Sequence, residues 1–95
     1  MITIKLQTIV GNFAENKDLA RDIRLNKIIP SLDKEEVVLD FEGIESATQS
    51  FIHALISDLI RKYGVEVLDK VMFKNCNEIT KKIINIVVDY MQESE

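Results

Sequence analysis

Apolar residues in this 95-residue chain recur at two periods, and the changes between them divide it into six segments. Ile2, Ile4 and Leu6 alternate with Thr3, Lys5 and Gln7, a period of two that predicts a strand with one covered face. Gly11-Asn12 ends it. From Asn16 or Asp18, either of which can cap a helix, Leu19, Ala20, Ile23, Lys27 and then Leu25, Ile28, Ile29, Leu32 supply a broad helical stripe. Pro30 has no backbone N–H and is predicted to end or kink that helix near Ile29. After the polar connector Asp33-Lys34-Glu35-Glu36, the unbroken run Val37-Val38-Leu39 reads as a strand covered on both faces, with Asp40 marking where it leaves the core. A second helix is predicted from near Ser50 to about Tyr63. Its core face carries Ile52, Leu55, Ile56, Leu59, Ile60 and Tyr63, and Ser50, His53, Ser57 and Arg61 form the opposite stripe. Gly64 is a helix stop, and Val65 to Leu68 is compatible with a helical turn or an early strand. Lys70 to Lys74 reads as a third strand, with Val71 and Phe73 on one side and Met72 on the other. Asn75 or Asn77 then caps a final helix whose core stripe is Ile79, Ile83, Ile86, Val87 and Tyr90, widened by Ile84, Val88 and Met91.

The order βαβαβα, with helices rather than tight hairpins as connections, predicts one α/β domain over residues 1–95. Its core is a three-stranded, mostly parallel sheet flanked by three helices and joined by right-handed crossovers. One arrangement places the first helix on one face and the other two on the opposite face; strand order is open. The carboxyl end of the central strand meets the amino end of the second helix in the stretch Asp40 to Phe51, the place where open α/β sheets put their ligand or signalling sites. Gly43 permits a turn closed to other residues, and Ser46, Thr48 and Ser50 offer hydroxyls to the free N–H groups of the helix start.

Composition narrows the function classes. With 46% hydrophobic and 29% charged residues the chain is globular rather than disordered. A net charge of -4 gives no electrostatic reason to approach nucleic acid or an anionic membrane, and the pair Lys81-Lys82 does not alter that. A single cysteine, Cys76, excludes an internal disulfide and a Cys-pair zinc site, as suits a reducing compartment. Met1 to Val10 alternates instead of presenting a basic and then an apolar stretch, and no apolar run approaches the ~20 residues of a membrane span, so a cytoplasmic protein is expected.

The central stretch carries a family resemblance. Leu39-Asp40-Phe41-Glu42-Gly43-Ile44, followed by Ser50-Phe51 and later by Val71-Met72-Phe73-Lys74-Asn75, resembles the STAS-like group of bacterial domains of the DUF4325 type. At greater distance it resembles the STAS domains of anti-sigma factor antagonists. In antagonists the loop reads Asp-Ser-Ser-Gly and its second Ser is phosphorylated; laid over Thr48, Gln49, Ser50 and Phe51, the tetrad keeps only that phosphoacceptor position, Ser50. The resemblance implies a non-enzymatic protein-interaction module of bacterial signalling. Its partner would be a histidine-kinase-like ATPase or anti-sigma-type regulator, met through Gly43, Glu45, Ser46, Thr48, Gln49, Ser50, Phe51 and His53. No cofactor is implied. The alternative is a small-ligand or nucleotide-sensing domain.

The residues themselves leave bland and sharp readings side by side. Ser50 is either a phosphoacceptor or, like Thr48, a helix cap. His53, one turn beyond Ser50, has no orienting acid at a readable spacing and no nucleophile-elbow glycines near it, so a surface histidine is the simpler reading. Asp40, Glu42 and Glu45 form an acidic cluster that reads as solvated loop charges or as a divalent-ion and acid–base site. One His and one Cys on different elements make no ligand set. The apolar excess of the last helix either covers a small sheet or is a contact patch for a second copy, giving a homodimer, or for another protein.

Overall fold

A computed structural model describes residues 1–93. The first alternating segment forms strand β1 (Ile2–Lys5), followed by one helical turn, α1 (Gln7–Val10), and a two-residue strand β2 (Phe13–Ala14) that the sequence did not signal. Helix α2 (Lys17–Ile23) begins where Asn16 Oδ1 accepts from the backbone N–H groups of Asp18 (2.9 Å) and Leu19 (3.2 Å). The helix does not end at Pro30, but its regular winding is interrupted just before it. The backbone widens to a π turn over Arg24–Ile28, where the Ile29 N–H donates to the Arg24 carbonyl, and continues as α3 (Ile29–Leu32). Pro30 thereby falls in the first turn of a new helical segment, where a missing N–H is tolerated.

Strand β3 (Val37–Asp40) follows, then β4 (Ser46–Ala47), helix α4 (Gln49–Tyr63), a 3₁₀ turn over Val65–Asp69, β5 (Val71–Lys74) and α5 (Glu78–Glu93). The main sheet has the order β1-β3-β5 and is parallel throughout; β2 and β4 pair as a separate parallel ladder. Leu39 pairs with Ile4 and Phe73, and Asp40 with Lys5 and Lys74. Both crossovers step in the same direction across the sheet, so right-handed connections bring α2 and α4 to the same face. They pack against each other there, and α5 packs on α4 as well. Helices divided between two faces are therefore replaced by a two-layer arrangement with α4 in the middle. Phe51, Ile52, Leu55, Ile56, Leu59 and Ile60 are accordingly buried. Tyr63, expected on the core face, is partly exposed; of the stripe expected to face solvent Ser50 and Arg61 are exposed, His53 is half-buried and Ser57 is buried.

The burial of β3 agrees with a strand covered on both faces. All four of its residues are buried, but only Val37 and Leu39 join the main hydrophobic core; Val38 points to the other face, in register with Thr3 and Met72. One charge is drawn in between α2 and α4. The Arg24 guanidinium, from the π turn, donates to the Ala54 carbonyl and pairs with Asp58 at 3.2 Å.

The phase of α5 differs from expectation. Thr80, Ile84, Val87 and Met91 face inward, while Ile79, Ile86 and Tyr90 are exposed and Ile83 is half-buried. The helix start explains it. Asn77 caps α5 by accepting from the Thr80 N–H at 2.8 Å and also donates to the Glu45 carbonyl at 2.8 Å, which fixes the azimuth of a helix whose apolar arc is too wide to choose its own. Among the described residues, no helix is long and apolar enough to cross a membrane.

Thr80 is fully buried, and its hydroxyl has no hydrogen-bond partner among the described residues. A buried polar atom without a partner destabilises by about 1–3 kcal/mol, so the near-isosteric Thr80→Val is expected to stabilise the fold by about 1 kcal/mol. Thermal denaturation should show a melting temperature about 4–8 °C higher.

Candidate functional site at the end of the central strand

The site is built from where β3 stops. Asp40 remains inside, 8% exposed, and so is not a solvated loop charge. Its Oδ1 accepts from Asn75 Nδ2 (2.9 Å) and from the Glu42 N–H (2.9 Å). The first of these bonds, then the second, holds the carboxyl below its ordinary range, and Lys5 and Lys74 on the flanking strands add to that, while burial opposes it. Asn75 reaches the carboxylate from a left-handed backbone (φ 59°), a conformation asparagine tolerates better than most residues.

Beyond Asp40 the chain turns sharply. The Ile44 N–H donates to the Phe41 carbonyl at 3.0 Å, with Gly43 at φ 85°; a Cβ there would also meet Gln7 Cγ at 3.0 Å. The following loop is tied down on two sides. The Glu45 N–H donates to the Asn12 carbonyl (2.7 Å), Asn12 Nδ2 donates to Glu45 Oε2 (3.2 Å), and Ser46–Ala47 pairs with Phe13–Ala14. On the other side Asn77 holds the Glu45 carbonyl. Asn12, Asn75 and Asn77 are thus site residues that the sequence reading missed as such. The left-handed preference of asparagine after a strand was the available signal for Asn75 alone.

Thr48 caps α4, its Oγ1 accepting from the Phe51 N–H at 3.1 Å. Ser50 lies two residues past the cap position, inside the first turn. It is exposed, and among the described residues its hydroxyl makes no hydrogen bond. Gly43, Glu45 and Gln49 are exposed too, Thr48 is exposed but occupied, and Ser46 is half-buried within β4. Phe51 must be corrected: with no exposed area it is a core residue and presents nothing to a partner. Its place in the first turn of α4, on the side facing the sheet, is the reason. His53 is half-buried, hydrogen-bonded to Ser57 Oγ at 3.3 Å, with its ring 6.4 Å from that of Tyr90 on α5.

Ser50 and His53 share an open cleft of about 500 Å³ with Lys17, Gln49 and Ala54. The acidic residues do not converge: Asp40 is engaged by Asn75, Glu45 by Asn12, and among the described residues no three His, Cys, Asp or Glu side chains gather as a metal site would require. Cys76 is half-buried beside β5, and burial, more than any charge, pushes its thiol up.

The chain is a small parallel α/β domain with an exposed, hydroxyl-bearing junction between its central strand and the following helix. Within that class the chain belongs to the family of STAS-like domains of unknown function (DUF4325), whose model matches residues 20–81, from within α2 through β3, the junction, α4 and β5 to the first turn of α5. No curated protein and no solved structure matches the chain.

Two measurements check the site's physics. Thr48→Ala should destabilise the fold by about 1 kcal/mol in chemical denaturation, whereas Ser50→Ala should change it by no more than about 0.5 kcal/mol, because only the first hydroxyl is used. Asp40→Asn keeps an acceptor and removes the charge. Because the folded-state pKa is depressed, the stability given by the carboxylate is complete above its ordinary value of 3.8 and is lost as pH falls through the lower folded value. The advantage of wild type over Asp40→Asn should therefore be constant from neutral pH to about pH 5 and shrink below about pH 4 in urea titrations.

Proposed function

We propose that this domain is a reversible protein-binding module of bacterial cytoplasmic signalling, without chemistry of its own, that meets its partner through the loop 43–49 and the exposed first turn of α4. Ser50 is its covalent switch. The observation that carries this reading is the division of labour at the start of α4: Thr48 caps the helix, leaving the Ser50 hydroxyl exposed and unused. A phosphate on Ser50 would add about -1.5 to -2 charges without removing the cap. It would stand at a helix amino end, which favours anions, and in the cleft that Lys17 also lines, so the fold would persist while the recognised surface changed sign. The loop's ties to Asn12 and Asn77 support a surface recognised by shape. Resemblance to anti-sigma factor antagonists suggests a histidine-kinase-like ATPase or a related regulator as the partner.

A second reading, the sensing of a small anionic ligand or nucleotide, draws on the groove between α2 and α4, where Lys17, Arg21 and Arg61 line a cleft of about 400 Å³. It has less support, since Arg24 and Arg61 both pair with Asp58.

Affinity capture from the native cell, followed by phosphosite mapping and titration of the captured partner, tests the proposal. Ser50→Asp should weaken partner binding about tenfold with little change in melting temperature, and Ser50→Ala should bind as wild type and resist phosphorylation. Equal binding by all three chains would remove Ser50 from the mechanism. A rise in melting temperature with micromolar nucleotide would favour the second reading.

A further inference from the structure

The outward face of α5 is polar, with Glu78, Lys82, Asn85 and Asp89 exposed, but one flank beside it, about a quarter turn from the inner stripe, is apolar. Ile79, Ile86 and Tyr90 are 60%, 51% and 58% exposed, and the half-buried Ile83 continues the row between them. Single exposed apolar residues are ordinary, but a contiguous row on one helix marks an interaction surface. The spacing identifies the shape that fits it. From Ile79 to Ile83, Ile86 and Tyr90 the steps are four, three and four, the seam spacing by which one helix receives another. The inner stripe of the same helix, Thr80, Ile84, Val87 and Met91, has the same steps and is already spent within the chain on its own core.

We infer that the outer stripe of α5 is a homodimer seam, on which α5 of a second copy packs antiparallel about a two-fold axis. The flanking charges select this occupant and this orientation. Lys82 and Asp89 lie on the same side of the seam, one heptad apart, both exposed, and neither forms an ion pair among the described residues. In an antiparallel pair centred between Ile83 and Ile86, Lys82 of each copy comes beside Asp89 of the other, so the two-fold axis generates two opposite-charge contacts. A parallel pair would set Lys82 against Val87, a residue of the inner stripe, and satisfy neither charge. The far side of the seam is closed because Thr80 and Val87 are buried. The seam is short for an interface, so the dimer forms weakly and over a concentration range. It is independent of the function proposed above, since it uses α5 and needs no other protein.

The experiment is sedimentation velocity on the whole chain at low salt, from about ten to several hundred micromolar, with four variants. Wild type should shift from monomer to dimer, and Ile86→Glu, at an exposed position that folding does not need, should remain monomeric with an unchanged circular dichroism spectrum. Lys82→Glu and Asp89→Lys should each weaken the dimer by about three- to tenfold, and the double variant Lys82→Glu/Asp89→Lys should return to within about twofold of wild type, because the swap rebuilds both contacts. A wild type that stays monomeric throughout overturns the inference and leaves the stripe to a helix of another protein. So does an Ile86→Glu chain that dimerises like wild type, or a double variant as weak as the singles, since only antiparallel two-fold pairing predicts the rescue.

Discussion

The structure depends on a carboxylate held inside at the end of a buried strand. β3 is paired on both sides, by β1 and β5, and its last residue, Asp40, cannot reach water freely. A buried charge is tolerated only when it is hydrogen-bonded, and the two donors to Asp40 come from different directions: the Glu42 N–H from the next turn and Asn75 from the end of β5. Satisfying one side chain therefore fixes the exit path of the central strand and the exit path of the edge strand together. The Gly43 turn, the start of α4 and the start of α5 follow from those two paths.

That shared constraint explains why the junction is ordered although it is a loop. Segments distant in sequence converge on it, with Gln7 and Asn12 from the amino-terminal region and Asn77 from the cap of α5, and the short β2–β4 ladder closes it on a third side. Nearly all of these ties are backbone or amide contacts that leave the outer surface unoccupied. Asp40 is hydrogen-bonded to Asn75 and His53 to Ser57, and Cys76 is half-buried.

The two-layer packing has a second consequence. With α2 and α5 both packed on α4, the middle of that helix is largely enclosed and its two ends stay exposed, while α5, at the end of the layer, keeps an apolar row on one flank. Tyr90 lies near His53, so the outer row of α5 ends close to the exposed start of α4. Two surfaces of different character, one polar and hydroxyl-bearing and one apolar, therefore adjoin without overlapping.

Period and punctuation alone determined the parallel α/β class, the three main strands, the enclosed central strand and the α4 start, because those features are local: apolar runs, an Asn or Thr ahead of a helix, a glycine at a turn. The STAS-like resemblance was likewise legible in short motifs at 39–44, 50–51 and 71–75. Sequence could not decide which side of a broad apolar arc faces inward, and so the α5 stripe was read with the wrong phase and Phe51 as a contact residue. Both outcomes turn on where a helix is anchored, by Asn77 in one case and by packing over the sheet in the other. The same holds for the common face shared by α2 and α4, the π turn that absorbs Pro30, and the burial of Asp40. Each depends on partners tens of residues away, and only the folded chain brings those partners within reach.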